Sequence, residues 1–433
     1  MAAGASIGTL IEYYDYYLFG LAAAVVFPTV FFPSDNPVAA SLSSFATFAV
    51  GFLLRPVGGL VFGHIGDRLG RKTTLLITVI GMGAATAGIG CIPSAAKIGL
   101  TAPVLLVVLR MLQGLFVGGE MGGAASLIVE HAPPGRRGLY GSLLISGAGI
   151  ANVLSAGLMS ALGAGSQSFF MSWGWRIPFL LSAVLVVIAV VLRSRLEESE
   201  EFRGLERVLE ERGAARPRTP MLAALRHPKN VVLGILMGLV QSIAGYVVLT
   251  YGLSYVVSKG TSKQVGFIGT LIVGVLQVFV APMWGRLSDR IGRKVLYIGA
   301  AIAFAVLIYP VLALYRTDQA PLIWLGMVIG FVIPGVAMQA TLQTMLSEMF
   351  DVEARTTGVN IGYQLSNTLG GGFAPLIAVA LTAAAGSSWP VGVYVIVIVL
   401  ISVIATLFAS MRPDTADAPR LHELKVGARQ SVR

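Results

Sequence analysis

The sequence predicts an all-α membrane protein with twelve transmembrane helices in two pseudo-symmetric bundles of six. Its composition, the spacing of its apolar runs and a loop motif that occurs twice all point to this fold class. Of the 433 residues, 55% are hydrophobic and only 12% are charged, and the mean hydropathy is +0.80. Because a soluble chain carries about 25% charged residues, these values exclude a soluble globular enzyme, a disordered protein and a fibrous protein.

Apolar runs bounded by glycine, proline and clusters of charge divide the chain into candidate helices. Each run is close to the length of about 20 residues that crosses a bilayer as an α-helix. The predicted spans are 6–32, 40–63, 73–93, 103–128, 139–163, 174–193, 230–257, 265–284, 295–314, 321–346, 358–383 and 390–411. An even number of spans places both termini on the same side of the membrane.

The distribution of Lys and Arg predicts the orientation. Most of the 31 Lys and Arg residues lie in loops on the side of the termini, so the positive-inside rule predicts cytoplasmic termini. The same bias accounts for the net charge of +10, which in a soluble protein would suggest a nucleic-acid partner. No nucleic acid is expected here. The predicted location is the cytoplasmic membrane, crossed many times, with the lipid bilayer as a partner.

The longest connector separates the two bundles. Residues 193–229 are rich in Glu and Arg, and Phe202, Leu205, Val208 and Leu209 have the spacing of a short amphipathic helix on the membrane surface. The predicted organisation is an N-terminal bundle over 1–192, a cytoplasmic linker over 193–229, a C-terminal bundle over 230–411 and a cytoplasmic tail over 412–433.

One loop sequence occurs in both halves, after span two and after span eight. A looser match relates the loops after spans four and ten. Two parallel six-span halves are a transporter architecture. The aspartates of the motif are expected to bind the N-terminus of a helix in the other half, where the dipole favours an anion. The residues predicted to gate the cytoplasmic side in this way are Gly63, Asp67, Arg68, Arg71, Glu130, Asp289, Arg290, Arg293 and Glu348.

The doubled G-x-x-x-D-R-x-G-R-K loop resembles the motif of the major facilitator superfamily. Further segments resemble its metabolite:proton symporter family, and those from span one to span six are most similar to shikimate transporters. They are Glu12-Tyr-Tyr-Asp15-Tyr, Phe52-Leu-Leu-Arg55-Pro56-Val-Gly58-Gly59, Arg110-Met-Leu-Gln113-Gly114 and Trp173-Gly-Trp-Arg176-Ile-Pro178-Phe. Tyr13 and Tyr16 depart from the family pattern, in which Trp and Phe are usual. The resemblance implies proton-driven uptake of small organic acids or of zwitterionic osmolytes.

Five ionisable residues lie inside predicted spans, all in the first half: Glu12, Asp15, Arg55, Arg110 and Glu120. Each would cost about 2.5–3.5 kcal/mol at the centre of a helix, so a functional role with a paired partner is expected. Counting residues along each helix places Asp15 and Arg110 near the midplane, where such transporters hold substrate. The other three lie closer to the cytoplasm.

Three carboxylates facing two guanidiniums leave one carboxylate able to bind a proton in this low-dielectric site. Asp15 is the predicted main proton-coupling residue, and Glu12 and Glu120 are further candidates. Arg110 is predicted to bind the substrate carboxylate, with Arg55 in support. Substrate binding would take Arg110 away from its own carboxylate partner, and that carboxylate could then be protonated. The alternative is that all five residues form structural ion pairs that fix the bundle.

Uncharged polar side chains at mid-depth are candidates for contacts with substrate hydroxyls. They are Tyr16, Tyr17, Gln113, Asn152, Gln241, Tyr246, Gln277, Gln364 and Asn367. The alternative is hydrogen bonding between helices, worth about 0.6 kcal/mol per bond. Gly245 and Gly252 in span seven, and Pro334 and Gly335 in span ten, are the expected hinge points.

These observations predict a secondary active transporter that takes up a small organic acid, such as shikimate or a dicarboxylate, with protons by alternating access. Proton-coupled uptake of betaine- or proline-type osmolytes, and exchange or facilitated diffusion of organic acids, are the alternatives. No nucleotide loop or nucleophile–base pattern is present, so an enzyme is not expected. Cys91 and four scattered histidines predict no metal site. A monomer is expected, with the proton as coupling ion and no cofactor.

Overall fold

The computed structural model describes residues 2–69, 71–118, 132–133, 135–194, 228–350 and 352–411, with the backbone alone at 2–9, 63–64, 66–69, 71–72, 192–194 and 352–356. These residues are mostly helical, and no strand occurs among them. Eleven helices are long and apolar enough to cross a membrane, and a further helix of 24 residues precedes them. The predicted all-α class and twelve-helix fold are confirmed.

We number the twelve helices in chain order. They are α1 Ala2–Val25, α2 Pro37–Phe62, α3 Thr73–Cys91, α4 Thr101–Gly118, α5 Arg137–Gly163, α6 Gln167–Val191, α7 Pro228–Ser258, α8 Lys263–Ile291, α9 Arg293–Leu314, α10 Ala320–Glu348, α11 Thr357–Ala385 and α12 Trp389–Phe408. Span one was predicted to reach residue 32, but α1 ends at Val25 and a short helix, Phe27–Val30, follows. The predicted linker helix and the tail fall outside the described residues.

Local sequence signals account for several helix ends. At the start of α2, the Asn36 side chain accepts hydrogen bonds from the backbone N–H groups of Val38 (3.0 Å) and Ala39 (3.3 Å). Pro37 takes the first helical position, where its missing N–H has no intrahelical partner to lose. Gly292 separates α8 from α9 with a φ of 93°, a conformation that only glycine adopts without strain.

Each half of the chain has its own hydrophobic core. One core is built largely from α1 to α6 and includes Phe27 and Trp175, and the other is built largely from α7 to α12. A few side chains cross between the halves: Ile145 of α5 packs in the second core, and Leu253 and Phe267 pack in the first. The two halves therefore form one continuous helical body.

Helices α5 and α8 pack along their whole length and join the halves. At mid-helix, a Cβ added to Gly274 would lie 3.0 Å from the Val153 backbone nitrogen. Nearer the chain termini, a Cβ added to Gly285 would lie 2.6 Å from the Gly138 carbonyl oxygen. Small residues allow backbones of membrane helices to approach this closely. The contact between Gly285 and Gly138 lies at the end of the bundle nearer the chain termini, and we call this end the termini end. The Lys and Arg distribution predicts that it is cytoplasmic.

Three helices of the second half contain π-helical segments: Tyr246–Tyr251 in α7, Val328–Val332 in α10 and Asn367–Gly372 in α11. The first segment lies between Gly245 and Gly252, and the second ends two residues before Pro334, which cannot donate a backbone hydrogen bond. Both segments lie at the predicted hinge points, although hinge motion itself stays a prediction. The segment in α11 was not predicted.

Helices α2 and α4 cross with direct backbone contact. A Cβ added to Gly114 would lie 1.9 Å from the Gly51 carbonyl oxygen. A Cβ added to Gly118 would lie 2.0 Å from the Arg55 carbonyl oxygen. Two positions one turn apart on α4 must therefore be glycine, and the crossing fixes how Arg110, one turn earlier on α4, lies against α2.

Gly114→Ala is expected to destabilise the protein, because the added methyl group meets a carbonyl oxygen of α2 and the helices must separate. Overpacking of this kind costs about 1–3 kcal/mol. Thermal unfolding of the purified protein in detergent should show a lower Tm. Gly147→Ala in α5 is the matched control, since no other helix of the described part of the chain has an atom within 4 Å of its added Cβ. Equal Tm values for the two variants would contradict the close crossing.

Candidate functional site

The buried charges of the first half lie on three neighbouring helices. Glu12 and Asp15 belong to α1, Arg55 to α2 and Arg110 to α4, and each side chain is at most 2% exposed. All four are therefore buried inside the bundle, and their depth in the membrane stays a prediction. Glu120 was predicted to join them, but residues 119–131 lie outside the described residues.

The Arg110 guanidinium lies among aromatic rings. Its Cζ is 4.0 Å from the ring centroid of Phe19, 5.1 Å from that of Phe48 and 5.8 Å from that of Phe52. The negative faces of these rings stabilise a cation that is removed from water. A Cβ added to Gly51 would lie 2.5 Å from Nε, so the guanidinium fits because position 51 has no side chain. The sequence reasoning did not identify these rings.

Gln113 connects Arg110 to Asp15. The Arg110 Nη1 donates to Gln113 Oε1 over 2.5 Å, and Gln113 Nε2 donates to Asp15 Oδ2 over 3.1 Å. Because a guanidinium can only donate, the amide oxygen must face Arg110, which turns the amide nitrogen towards Asp15. Gln113 was predicted as a substrate contact. The structure places it between the cation and the carboxylate.

Thr86 of α3 belongs to the same cluster and was missed by the sequence reasoning. Its Oγ1 lies 2.7 Å from Asp15 Oδ2 and 2.8 Å from Gln113 Nε2, and the residue is fully buried. The one signal in the sequence is a threonine in an otherwise apolar stretch of helix. Thr78 of the same helix gives a similar signal but donates to the backbone of Leu75.

A second cluster surrounds Arg55. The Tyr16 hydroxyl donates to Glu12 Oε1 over 2.5 Å, and the Arg55 Cζ lies 4.2 Å from the Tyr16 ring centroid. The same Cζ lies 3.8 Å from the Phe52 centroid. Phe52 therefore contacts both guanidiniums. Tyr16 departs from the family pattern, and its extra hydroxyl makes the bond to Glu12.

Side chains of the second half cover these clusters. The Tyr13 and Tyr363 hydroxyls share a hydrogen bond of 2.8 Å, and Thr368 Oγ1 donates to the Phe52 carbonyl oxygen over 3.0 Å. The Tyr246 ring meets the Phe52 ring edge to face, with centroids 5.9 Å apart. Contacts from α7 and α11 therefore reach the predicted binding region.

Several predicted substrate contacts are buried amides. Gln277 donates to Gln339 over 3.1 Å, whereas Asn367 bonds the backbone of its own helix. Tyr17 stacks on Tyr13, with ring centroids 6.2 Å apart. Amide atoms without a hydrogen-bond partner among the described residues occur on Asn152, Gln241, Gln277 and Gln364. Buried polar atoms of this kind can bind the hydroxyls of a ligand.

At the termini end, Asp289 of α8 caps the N-terminus of α5. Its carboxylate accepts hydrogen bonds from the backbone N–H groups of Gly138 (2.8 Å) and Leu139 (3.0 Å). The helix dipole favours an anion at this position. Arg293 binds Asp289 at 3.1 Å and also binds Glu348 of α10. This is the placement expected for the second copy of the loop motif.

The structure gives no contact across the halves for the other predicted gating residues within its described part. Arg290 is exposed at the end of α8. The side chains of Gly63, Asp67, Arg68, Arg71 and Glu130 lie outside the described residues, so contacts of the first motif copy stay predictions.

The halves also meet at the opposite end of the bundle. Gln264 of α8 donates to the Ser160 hydroxyl of α5 over 2.8 Å and to its carbonyl oxygen over 3.0 Å. The Phe170 and Phe267 rings pack with centroids 6.0 Å apart. The halves therefore touch at both ends of the bundle in the described conformation.

Comparisons with known proteins agree with this architecture. Residues 1–216 match the family model described as sugar (and other) transporter, and residues 259–432 match that of the major facilitator superfamily. The crystal structure of a D-xylose-proton symporter superposes with a TM-score of 0.72 over 96% of this chain and 98% of that chain. At 20% identity, this likeness shows the fold alone.

Curated relatives are similar over nearly the full length. The shikimate transporter of Escherichia coli is 40% identical over 94% of this chain and 93% of its own. The glycine betaine/proline/ectoine/pipecolic acid transporter OusA of Dickeya dadantii is 34% identical over 96% and 83%. The citrate-proton symporter of Klebsiella pneumoniae is 31% identical over 94% and 91%. The chain is therefore a multi-pass transporter of the plasma membrane, not an enzyme, and belongs to the metabolite:proton symporters of the major facilitator superfamily.

Proposed function

We propose that this protein takes up a small organic acid together with protons, with Arg110 binding the substrate carboxylate and Asp15 carrying the proton. One observation carries the proposal: the Gln113 amide bonds both groups at once. A change at either group therefore alters the hydrogen bonds of the other. Relatives named as a shikimate transporter and a citrate-proton symporter support the same class of activity.

The free donors of Arg110 suit a carboxylate. Its Nε and Nη2 lie on one edge of the guanidinium, and neither has a hydrogen-bond partner among the described residues. A carboxylate accepts from two such donors at once in a bidentate pair. Because residue 51 is glycine, it places no side chain against this edge, where a Cβ would lie 2.5 Å from Nε.

Substrate binding and proton binding are then coupled by charge. A substrate carboxylate on Arg110 compensates the positive charge that otherwise stabilises ionised Asp15 through Gln113. Asp15 therefore binds a proton more easily when substrate is present. By the same linkage, a protonated Asp15 competes less for Arg110, so each ligand favours binding of the other.

The buried polar groups of the second half are mostly uncharged and include several amides, whereas those of the first half include four charged side chains. Among the described residues of α7 to α12, Glu348 is the one buried charged side chain, and it binds Arg293 at the termini end. The unmet amide atoms of Gln241, Gln277 and Gln364 lie in this half, and those of Asn152 face it from α5. We assign the hydroxyl-bearing part of the substrate to these groups.

Betaine uptake is the second candidate, because the relative OusA is named for glycine betaine. A betaine also has a carboxylate, but its quaternary ammonium group binds best on aromatic faces. The rings of Tyr16 and Phe52 hold Arg55, and the ring of Phe19 holds Arg110. Those ring faces already bind a cation, which supports an acid that carries no cationic group.

Asp15→Asn is expected to abolish accumulation of substrate, because asparagine keeps the size of aspartate but cannot bind or release a proton. Uptake of labelled shikimate, citrate and glycine betaine into proteoliposomes with an imposed pH gradient measures this, with and without a protonophore. Asp35→Asn is the control, since Asp35 is an exposed loop carboxylate.

Accumulation that survives in Asp15→Asn would contradict the role of Asp15. Wild-type uptake that ignores both the pH gradient and the protonophore would show exchange or facilitated diffusion in place of symport.

The contacts of Asp289 support a role as a latch of the termini end. The two backbone N–H groups that it binds belong to the first half, while Asp289 and Arg293 belong to the second. This end cannot open without breaking the cap. Loss of the cap should therefore shift the population towards conformations open at the termini end, without altering the substrate site.

Asp289→Ala should open this end more often, because α5 loses an anion worth about 1–2 kcal/mol, a factor of about 5–30 in population. Ser142 is fully buried beside Gly285 and reports the opening. In a Cys91→Ser background, labelling of Ser142→Cys by N-ethylmaleimide should rise several-fold. Asp35→Ala is the matched control. Unchanged labelling in Asp289→Ala would contradict the latch.

A further inference from the structure

Thr86 has three polar neighbours but a single hydrogen to donate. Its Oγ1 lies 2.7 Å from Asp15 Oδ2, 2.9 Å from the Met82 carbonyl oxygen and 2.8 Å from Gln113 Nε2. The amide nitrogen can only donate, so Thr86 accepts from Gln113 in every state. Its own hydrogen has two possible acceptors, the Asp15 carboxylate and the Met82 carbonyl.

The protonation state of Asp15 decides between these acceptors. When Asp15 is ionised, the Thr86 hydroxyl donates to Oδ2. When Oδ2 carries a proton, that proton is donated to Thr86 Oγ1, and the Thr86 hydrogen rotates to the Met82 carbonyl. A hydroxyl has two lone pairs, so Thr86 can accept from both Asp15 and Gln113 in this second state. The contacts of Thr86 with Asp15 and Gln113 stay hydrogen-bonded in both states, and the Met82 carbonyl accepts from the hydroxyl in the second state alone.

We propose that Thr86 is a positioning residue for the transported proton, because its rotating hydroxyl satisfies Asp15 both as a carboxylate and as an acid. The proton binds to and leaves from Asp15 Oδ2, while the hydrogen of Thr86 only changes its acceptor. No buried polar atom at this contact loses its partner in the exchange, which would otherwise cost about 1–3 kcal/mol. This inference rests on the proposed proton coupling through Asp15.

The pH dependence of Asp15 also depends on the other charged groups of the described residues on α1 and on the helices around it. Arg110 of α4 acts on it through Gln113, and Glu12 lies one turn away on α1. Of the helices packed against α1, α5 carries Arg137 at the termini end, and α6 carries Arg176, which binds backbone oxygens at the opposite end. Helix α2 carries Arg55, held by Tyr16 and Phe52, and α7 carries Lys229 in its first turn, at the termini end. Among these groups, Arg110 is the main other influence on protonation of Asp15, and the experiment has to separate its effect from that of Thr86.

The test compares Thr86→Val, which keeps the shape but removes the hydroxyl, with Thr86→Ser, which keeps the hydroxyl. Thr78→Val is the matched control, because Thr78 is fully buried in the same helix and, among the described residues, its hydroxyl donates to the Leu75 backbone and not to a side chain. Proteoliposome uptake of labelled shikimate is measured against pH, alongside counterflow, in which loaded carriers exchange substrate without releasing the proton. The Tm of each variant checks the fold.

In Thr86→Val, half-maximal uptake should move to higher pH by about one unit. The lost bond to the carboxylate is charge-assisted and about twice as strong as the lost bond to the neutral acid, so the acid form is favoured. Net uptake should fall several-fold more than counterflow, because only net uptake needs the proton to be released. Thr86→Ser should restore the wild-type pH profile.

A Thr86→Val profile that superposes on those of the wild type and Thr78→Val overturns the inference while leaving proton coupling intact. Equal losses of net uptake and counterflow in Thr86→Val would also overturn it, since a merely structural role predicts that result. Wild-type uptake that is independent of the pH gradient would overturn the proposed function itself, and this inference with it.

Discussion

The structure depends on one constraint, which is that a guanidinium must remain charged inside a membrane. Arg110 meets this constraint with the faces of Phe19 and Phe48 and with the amide oxygen of Gln113. These neighbours in turn determine their surroundings. Position 51 has to be glycine, and the crossing of α2 and α4 in backbone contact holds Phe48 of α2 beside the cation. Much of the first bundle is therefore arranged around a single side chain.

The neutral amide between Arg110 and Asp15 sets how strongly the two charges interact. A buried ion pair in direct contact is difficult to separate, because each charge that is left alone loses both water and partner. Gln113 transmits the interaction through two hydrogen bonds that can be exchanged one at a time. The arrangement keeps the cation and the carboxylate responsive to a ligand, which a permanent pair would not be.

The fold and the buried charges could be predicted from the sequence because they depend on properties of the chain itself. Apolar length defines a span, and the cost of burying a charge marks Asp15 and Arg110 as exceptional. The partners could not be predicted in the same way. Sequence distance gives the depth of a side chain but not the direction in which its helix faces, so the bonds of Gln113 to Arg110 and Asp15 were not predicted. Thr86 was overlooked because it resembles Thr78 until packing turns it towards Asp15.

The link between Arg110 and Asp15 also determines which part of the proton gradient, voltage or pH difference, can drive uptake in the proposed cycle. In the proposed cycle, one carboxylate on Arg110 and one proton on Asp15 enter together, so a monocarboxylate carries no net charge across the bilayer. The membrane voltage, worth about 2.3 kcal/mol per charge per 100 mV, then neither drives nor opposes uptake. Such a carrier draws on the acidity of its surroundings alone, and it continues to work in a cell whose membrane is depolarised.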